Sequence, residues 1–324
     1  MSDLQNEERK YAEKKIDSTA LLTYYLDLNE EEKKKALQTA DIIVGGRLTD
    51  DQLSLVKQLK FHQILGTGLN RHKLSFYKEN DIILCNNHSH ASIIAEHGYS
   101  LLHAASKELD NNDKLLREGD WDHRKYQSVT LFNKTILFLG FGEIAKHFKK
   151  MCKPFSMRFL AIKRTKDSTA DDVEFYTPEN ILEAVKQADF IFNSLPGTEN
   201  TENFLDEKEF AVMKPTAIIV NVGRGMTINA EAMYKALKDK QIKAAAIDVW
   251  YNYPQQRGTD DQEPSPCFPS EYPFQNLDNI IMSAHRAWNT DLPRGHFIDS
   301  AIPNINNFIR ALELKNIVNL DEGY

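Results

Sequence analysis

Six short apolar runs, at 135–139, 158–162, 189–193, 216–222, 244–249 and 279–283, punctuate the second half of the chain, with helical patterns in most of the gaps. Strand–helix alternation of this kind leaves few folds open. Parallel strands need crossover connections, so the helices cover both faces of a parallel sheet. Six strands is the count of a full doubly wound sheet, whose ligands lie outside the carboxyl ends of the strands. Those ends read GFGEIA, KRT, SLPG, GRG, DVW and SAHR, which gathers the reactive residues of this half along one crevice. Upstream, β-rich runs at 20–26, 41–44, 61–65 and 81–84 alternate with polar helical stretches, and Thr49 is placed to cap the helix starting DDQLSL. A long helical pattern from about Ala91 to Leu109 divides the two halves, and residues 1–17 read as a charged arm, frayed or helical.

Composition narrows the function classes. With 40 basic against 47 acidic residues, the net charge of −7 gives no support for a nucleic-acid or anionic-membrane partner. No apolar run approaches the ~18 residues of a membrane span, and the opening MSDLQNEERKYAEKK is too charged for a signal peptide. The three cysteines, 85, 152 and 267, lack CxxC spacing, so neither a disulfide framework nor a structural metal is expected, and the cytoplasm is the default compartment.

The turn in TILFLGFGEIAKHF (135–148) carries the most chemistry. Gly140 permits a tight turn, Gly142 lets a pyrophosphate approach the backbone, and Ala145 is small enough for the helix to pack on the strand. The amides of Glu143 and Ile144, at the helix start, face such phosphates. A GxGxxA alone also suits a purely steric turn. Preceded by one strand and followed by five, it points to a Rossmann dinucleotide site. An NAD site usually has an acidic residue about 20 positions further on, bonding the ribose. Lys163, Arg164 and Thr165 stand there instead, and their cations suit a 2′-phosphate, favouring NADP with NAD as the alternative.

With these motifs in place, the chain resembles the D-isomer-specific 2-hydroxyacid dehydrogenase family from about residue 20 to 320. Besides LGFGEIA, the likeness rests on IIAEH (93–97), SLPGTENT (194–201), NVGRG (221–225), AAIDVW (245–250) and AHRAWNT (284–290), in that order and spacing. The resemblance implies a dimer of two-domain subunits, each with its active site in the cleft between the domains. A smaller, flavodoxin-like α/β substrate domain would come from residues 1–95 and 290–324, and the dinucleotide domain from 96–289. It also implies that Leu195, Pro196 and Thr201 line the cofactor, that Asp248 holds the nicotinamide side, and that Thr67 and Gly68 in LGTGLN grip a substrate carboxylate.

Reduction of a 2-oxoacid needs a carboxylate held, a ketone polarised, a hydride and a proton. Arg224, flanked by glycines at a strand end, can fork to the carboxylate and carbonyl oxygens. His285 follows the sixth strand and is the natural proton donor. The chain also departs from the family pattern. In DVWYNYP, Tyr253 stands where the family usually places the glutamate, or in formate enzymes the glutamine, that orients the histidine, and a phenol brings no charge at pH 7. His90 replaces the family's substrate-facing asparagine and either touches the substrate or simply lines the pocket. Asp260, Asp261 and Glu263, in the proline-rich loop 255–272, either return the missing carboxylate or are solvated. The expectation is an NADPH-preferring reductase of glyoxylate or hydroxypyruvate, with Arg224, His285 and Tyr253 at the chemistry and no metal. The missing glutamine disfavours formate oxidation. A non-catalytic dinucleotide sensor on the same fold is the competing class; a methyltransferase on a similar sheet would not need Arg224 and His285.

Overall fold

The computed structural model describes residues 6–70, 72–164, 170–254, 266–292 and 295–324, and its contacts divide the chain into two compact units. One comprises Met1–His90 with Thr290–Tyr324, the other Ala91–Asn289. The first division falls five residues before the 95/96 boundary expected from sequence. The helix Ala91–Lys107 begins there and stays with the second unit as one piece.

In the first unit, β1 (Ile42–Gly45), β2 (Phe61–Ile64) and β3 (Ile83–Cys85) form a parallel sheet in the order β1-β2-β3. Thr49 caps the helix Asp50–Leu55 through a box with Gln52, satisfying amides that a helix start leaves without partners. The run 20–26 is not a strand: residues 20–24 have no sheet pairing, and Tyr25–Asp27 is a single 3-10 turn. Its alternation is nonetheless physical. Ala20, Leu22 and Tyr24 pack on the core while Leu21 is 95% exposed, so the segment supplies a buried stripe without hydrogen-bonding to a neighbour. The charged arm is likewise more than solvated surface. Within the helix Asn6–Lys15 and just past its end, Ala12 and Ile16 lie four apart and bury against Ile298, Ala301 and Ile305.

Among the described residues of the second unit seven strands, all parallel, run in the order β10-β9-β8-β7-β4-β5-β6. They are β4 (Thr135–Leu139), β5 (Arg158–Ile162), β6 (Val173–Tyr176), β7 (Phe190–Asn193), β8 (Ile218–Asn221), β9 (Ala244–Ile247) and β10 (Ile280–Met282). Six of these match the apolar runs. The seventh, β6, is an edge strand in which only Val173 is buried, so its sequence lacks the apolar run of an inner strand. Inner strands are buried on both faces, Leu137 and Leu139 in one core and Ile136 and Phe138 in the other. The long helical pattern at 91–109 stops at Lys107; Glu108, with φ 54°, breaks it before a second helix, Leu109–Arg117. No described helix is long and apolar enough to cross a membrane.

Candidate functional site

The carboxyl edge of the seven-stranded sheet carries most of the residues singled out by sequence. After β4 the chain turns at Gly140, with φ 77°, and its amide reaches the Ile162 carbonyl at the end of β5. Gly142 precedes the helix Glu143–Cys152, and a Cβ built on it meets nothing within 4 Å. Open space at the start of a helix, beside the first-turn amides of Glu143 and Ile144, is what an approaching pyrophosphate requires. The side chain of Glu143 turns to Lys146 at 3.0 Å, and Ala145 is fully buried. Lys163 and Arg164 follow β5, with the Lys163 amide held by the Tyr176 carbonyl of β6 at 3.0 Å. Thr165 and the acidic residues Asp260, Asp261 and Glu263 lie outside the described residues.

The SLPG loop follows β7 and abuts the glycine turn: a Cβ at Gly140 would stand 3.1 Å from Leu195 Cδ2. Thr201 donates to the Pro196 carbonyl at 2.6 Å and accepts the Thr198 amide, closing the loop on itself.

Arg224 is positioned by buried amides. Asn193 and Asn221 end β7 and β8 and pair in register, and both are essentially inaccessible to solvent. Asn193 Nδ2 donates to Asn221 Oδ1 at 3.1 Å and to Thr227 Oγ1 at 2.6 Å, while its Oδ1 accepts the Leu195 amide. Asn221 Oδ1 also accepts the Gly223 amide, and Asn221 Nδ2 donates to the Arg224 carbonyl at 3.1 Å. Thr227 Oγ1 donates to that same carbonyl at 2.6 Å. Half-buried, Arg224 donates through Nη1 to the Gly223 carbonyl at 2.7 Å.

His285 hangs on a different device. It follows β10 with φ 50°, a left-handed conformation uncommon for a residue with a side chain. Tyr253 lies beside it, ring centroids 5.4 Å apart, and the phenol oxygen accepts the Trp250 amide at 3.1 Å. Asp248, expected from the resemblance at the cofactor, is 1% exposed and directed at the loop that carries His285. Its carboxylate accepts the amides of Arg286 at 3.0 Å and Ala287 at 3.2 Å and the hydroxyl of Ser283, and lies 3.4 Å from His97 Nε2. Burial pushes this carboxyl up, but the bonds from His97, Ser283 and the Arg286 amide outweigh it and hold the group at about 2.

In the other unit, Thr67 and Gly68 are exposed on the loop after β2. Thr67 Oγ1 donates to the Asn87 carbonyl at 2.7 Å and Asn86 Nδ2 donates to the Thr67 carbonyl at 3.1 Å, which fixes that loop. His90 is 9% exposed and stacks on Phe297 with ring centroids 3.7 Å apart. Among the described residues no group of three or more His, Cys, Asp or Glu is placed to hold a metal ion.

Sequence reasoning passed over Asn193, Asn221 and Thr227, which set Arg224, and His97 and Ser283, which join Asp248. The available signal was an asparagine closing each of two otherwise apolar strands, FIFN and IIVN, because a buried amide must find partners.

Comparison with known proteins gives a consistent result. Residues 99–287 match the sequence profile of the D-isomer specific 2-hydroxyacid dehydrogenase NAD binding domain. A D-3-phosphoglycerate dehydrogenase of Methanocaldococcus jannaschii is 29% identical over 90% of this chain and 54% of its own length. A glyoxylate reductase of Pyrococcus furiosus is 32% identical over 59% of this chain and 55% of its own length. The chain thus spans about half the length of these two relatives. Among solved structures, an NADPH-dependent glyoxylate/hydroxypyruvate reductase of Sinorhizobium meliloti, in complex with NADP and sulfate, superposes with a TM-score of 0.79. It is 19% identical, with 99% of this chain and 98% of that one covered, a likeness of fold.

Proposed function

Because the chain belongs to the D-isomer-specific 2-hydroxyacid dehydrogenase family, we propose that it reduces a small 2-oxoacid, of the glyoxylate or hydroxypyruvate class, at the expense of NADPH. The observation that carries this reading is that Arg224 and His285 follow strands of the sheet that also bears the glycine turn, at the same carboxyl edge. The open space at Gly142 and the first-turn amides fit a pyrophosphate, and Lys163, Arg164 and Thr165 are assigned to the 2′-phosphate. Leu195, Pro196 and Thr201 are assigned to the same ligand. When bound, the nicotinamide supplies the hydride.

The remaining chemistry belongs to side chains. Arg224 forks to the carboxylate and ketone oxygens and stabilises charge developing on the latter. His285 gives that oxygen its proton. Thr67 and Gly68 hold the substrate carboxylate, and His90, packed on Phe297, limits the volume beside it. We assign the protein to the cytoplasm as a homodimer. Light scattering would test the assembly. Tyr253 beside His285, where the family has a carboxylate or glutamine, favours the second reading, a dinucleotide sensor without turnover.

A panel of 2-oxoacids assayed with NADPH and NADH separates the two readings. Turnover of glyoxylate or hydroxypyruvate is expected, with NADPH bound at least about 10-fold tighter, in keeping with the strength of charge-assisted phosphate contacts. Lys163→Asp with Arg164→Ala should reverse that order in a fluorescence titration. Cofactor binding without turnover of any 2-oxoacid would leave the sensor.

A further inference from the structure

Ser283, His97 and Asp248 are the residue types of a hydrolytic triad, wired differently. In a hydrolase the serine and aspartate occupy opposite nitrogens of the imidazole. Here both face His97 Nε2, the Ser283 hydroxyl at 3.1 Å and the carboxylate at 3.4 Å, while Ser283 donates directly to Asp248. A carboxylate only accepts, so Nε2 carries the proton, and the serine's proton is committed to the aspartate. No nucleophile is generated. The cluster serves instead as an anchor.

What it anchors is the segment 283–287. Ser283 is tied at every polar atom: its amide to the Ile247 carbonyl at 2.8 Å, its carbonyl to Trp250 Nε1 at 2.7 Å, and its hydroxyl to Asp248 and His97. The amides of Arg286 and Ala287 converge on the same carboxylate. Asp248 therefore grips the chain on both sides of His285, the one residue between Ser283 and Arg286 that adopts positive φ. Holding a histidine left-handed is unfavourable by itself, and the conformation persists only where surrounding bonds over-determine it. The left-handed turn is what the bracketing bonds impose, and it sets the direction of the imidazole.

We propose that Asp248 is a positioning residue which, with Ser283 and His97 behind it, holds His285 in its left-handed conformation and so aims the imidazole. The kinetic part of this proposal rests on the reading of His285 as the proton donor; the structural part does not.

The test uses the full chain with NADPH and whichever 2-oxoacid it turns over best. Asp248→Asn keeps the shape but turns a donor toward the amides of the loop. Its kcat should fall by about 10²-fold, the scale set by a misplacement of about 1 Å, while Kd for NADPH changes less than about 3-fold. Combined with His285→Ala, it should cost no further turnover, since it acts through that residue. A weakened Kd with kcat retained at saturation would overturn the proposal and return Asp248 to the cofactor. Additive losses in the double variant would also overturn it. If His285→Ala alone turns over normally, the proton-donor reading has failed instead. Amide hydrogen exchange then decides the structural part without any activity: Asp248→Asn should accelerate exchange at Arg286 and Ala287, and unchanged protection there would refute the anchor. Should Asp248→Asn not fold, Ser283→Ala, which removes one link and leaves the two amide bonds, should show the same pattern with a loss of about 10-fold; no loss would count against the proposal.

Discussion

The loops that carry Arg224 and His285 leave the same edge of one sheet, yet they are held by opposite electrostatic means. Around Arg224 the fastening is neutral: Asn193, Asn221 and Thr227 pass hydrogen bonds from one strand end to the next and finish on the Arg224 carbonyl. Around His285 a single buried carboxylate collects its donors. The neutral ladder spreads its work over several groups and depends on strand register, but not on pH. The charged anchor concentrates the work on Asp248 and holds only while that group is ionised. In the proposed reaction, where Arg224 is the cation and His285 the proton carrier, the cation's support is thus free of titration.

The largest expected effect comes from making the neutral ladder charged. Asn221→Asp would bury a carboxylate whose second oxygen faces the Arg224 carbonyl, and should destabilise the protein at pH 7 by about 3–5 kcal/mol, the cost of an uncompensated buried charge. Its folded pKa would be raised, so the lost stability should return progressively as pH falls from 7 toward the unfolded value, near 4. Urea unfolding at pH 7 and pH 5 measures this, and equal losses at both would show that the ladder tolerates charge.

Next in size, Arg224→Lys keeps the charge but loses the fork. It should lower kcat/KM about 10²-fold, or about 2.7 kcal/mol, with little change in NADPH binding. Near-normal turnover would remove Arg224 from the chemistry.

For the charged anchor the sign runs the other way. Asp248 is depressed to about 2, so it contributes stability above its unfolded value, near 4, and loses it as pH falls through about 2. That contribution is about 2 kcal/mol at neutral pH. The stability gap between the parent and Asp248→Asn should be widest above pH 5 and close toward pH 2, as read by urea titration at each pH. A gap that persists at pH 2 would mean that the asparagine fails for reasons of shape.

The smallest effect concerns Tyr253. Tyr253→Glu places a negative charge beside His285 and stabilises its protonated form, so the falling limb of the reductase pH profile should move upward by up to about one unit. A profile overlaying the parent's would show that Tyr253 does not govern that proton.

Much of this arrangement is legible in sequence because the signals are local. TILFL followed by GFG specifies a buried strand and its turn within a dozen residues, and the residues at strand ends share an edge once the strands are parallel. The unread parts depend on partners far along the chain. Asn193 meets Asn221 28 residues later, and His97 meets Ser283 186 residues later. No short window of sequence records either pairing. The segment 20–26 misleads for a related reason: alternation reports one buried stripe, not a hydrogen-bonded neighbour. At Asp248 the motif gave the right strand end, but the direction of the carboxylate depends on a loop more than thirty residues away.

Gly223 and Gly225 flank Arg224, and a Cβ on them would stand 2.6 Å from the Leu195 carbonyl oxygen and 2.2 Å from that of Trp250. Three loops thus meet here through bare main chain. For anyone seeking a new substrate range by directed evolution, these two positions are closed: a saturation library at either should return glycine alone among active clones. Variation that re-aims the guanidinium has to enter through the neighbouring side chains that hold its main chain, Asn221 and Thr227.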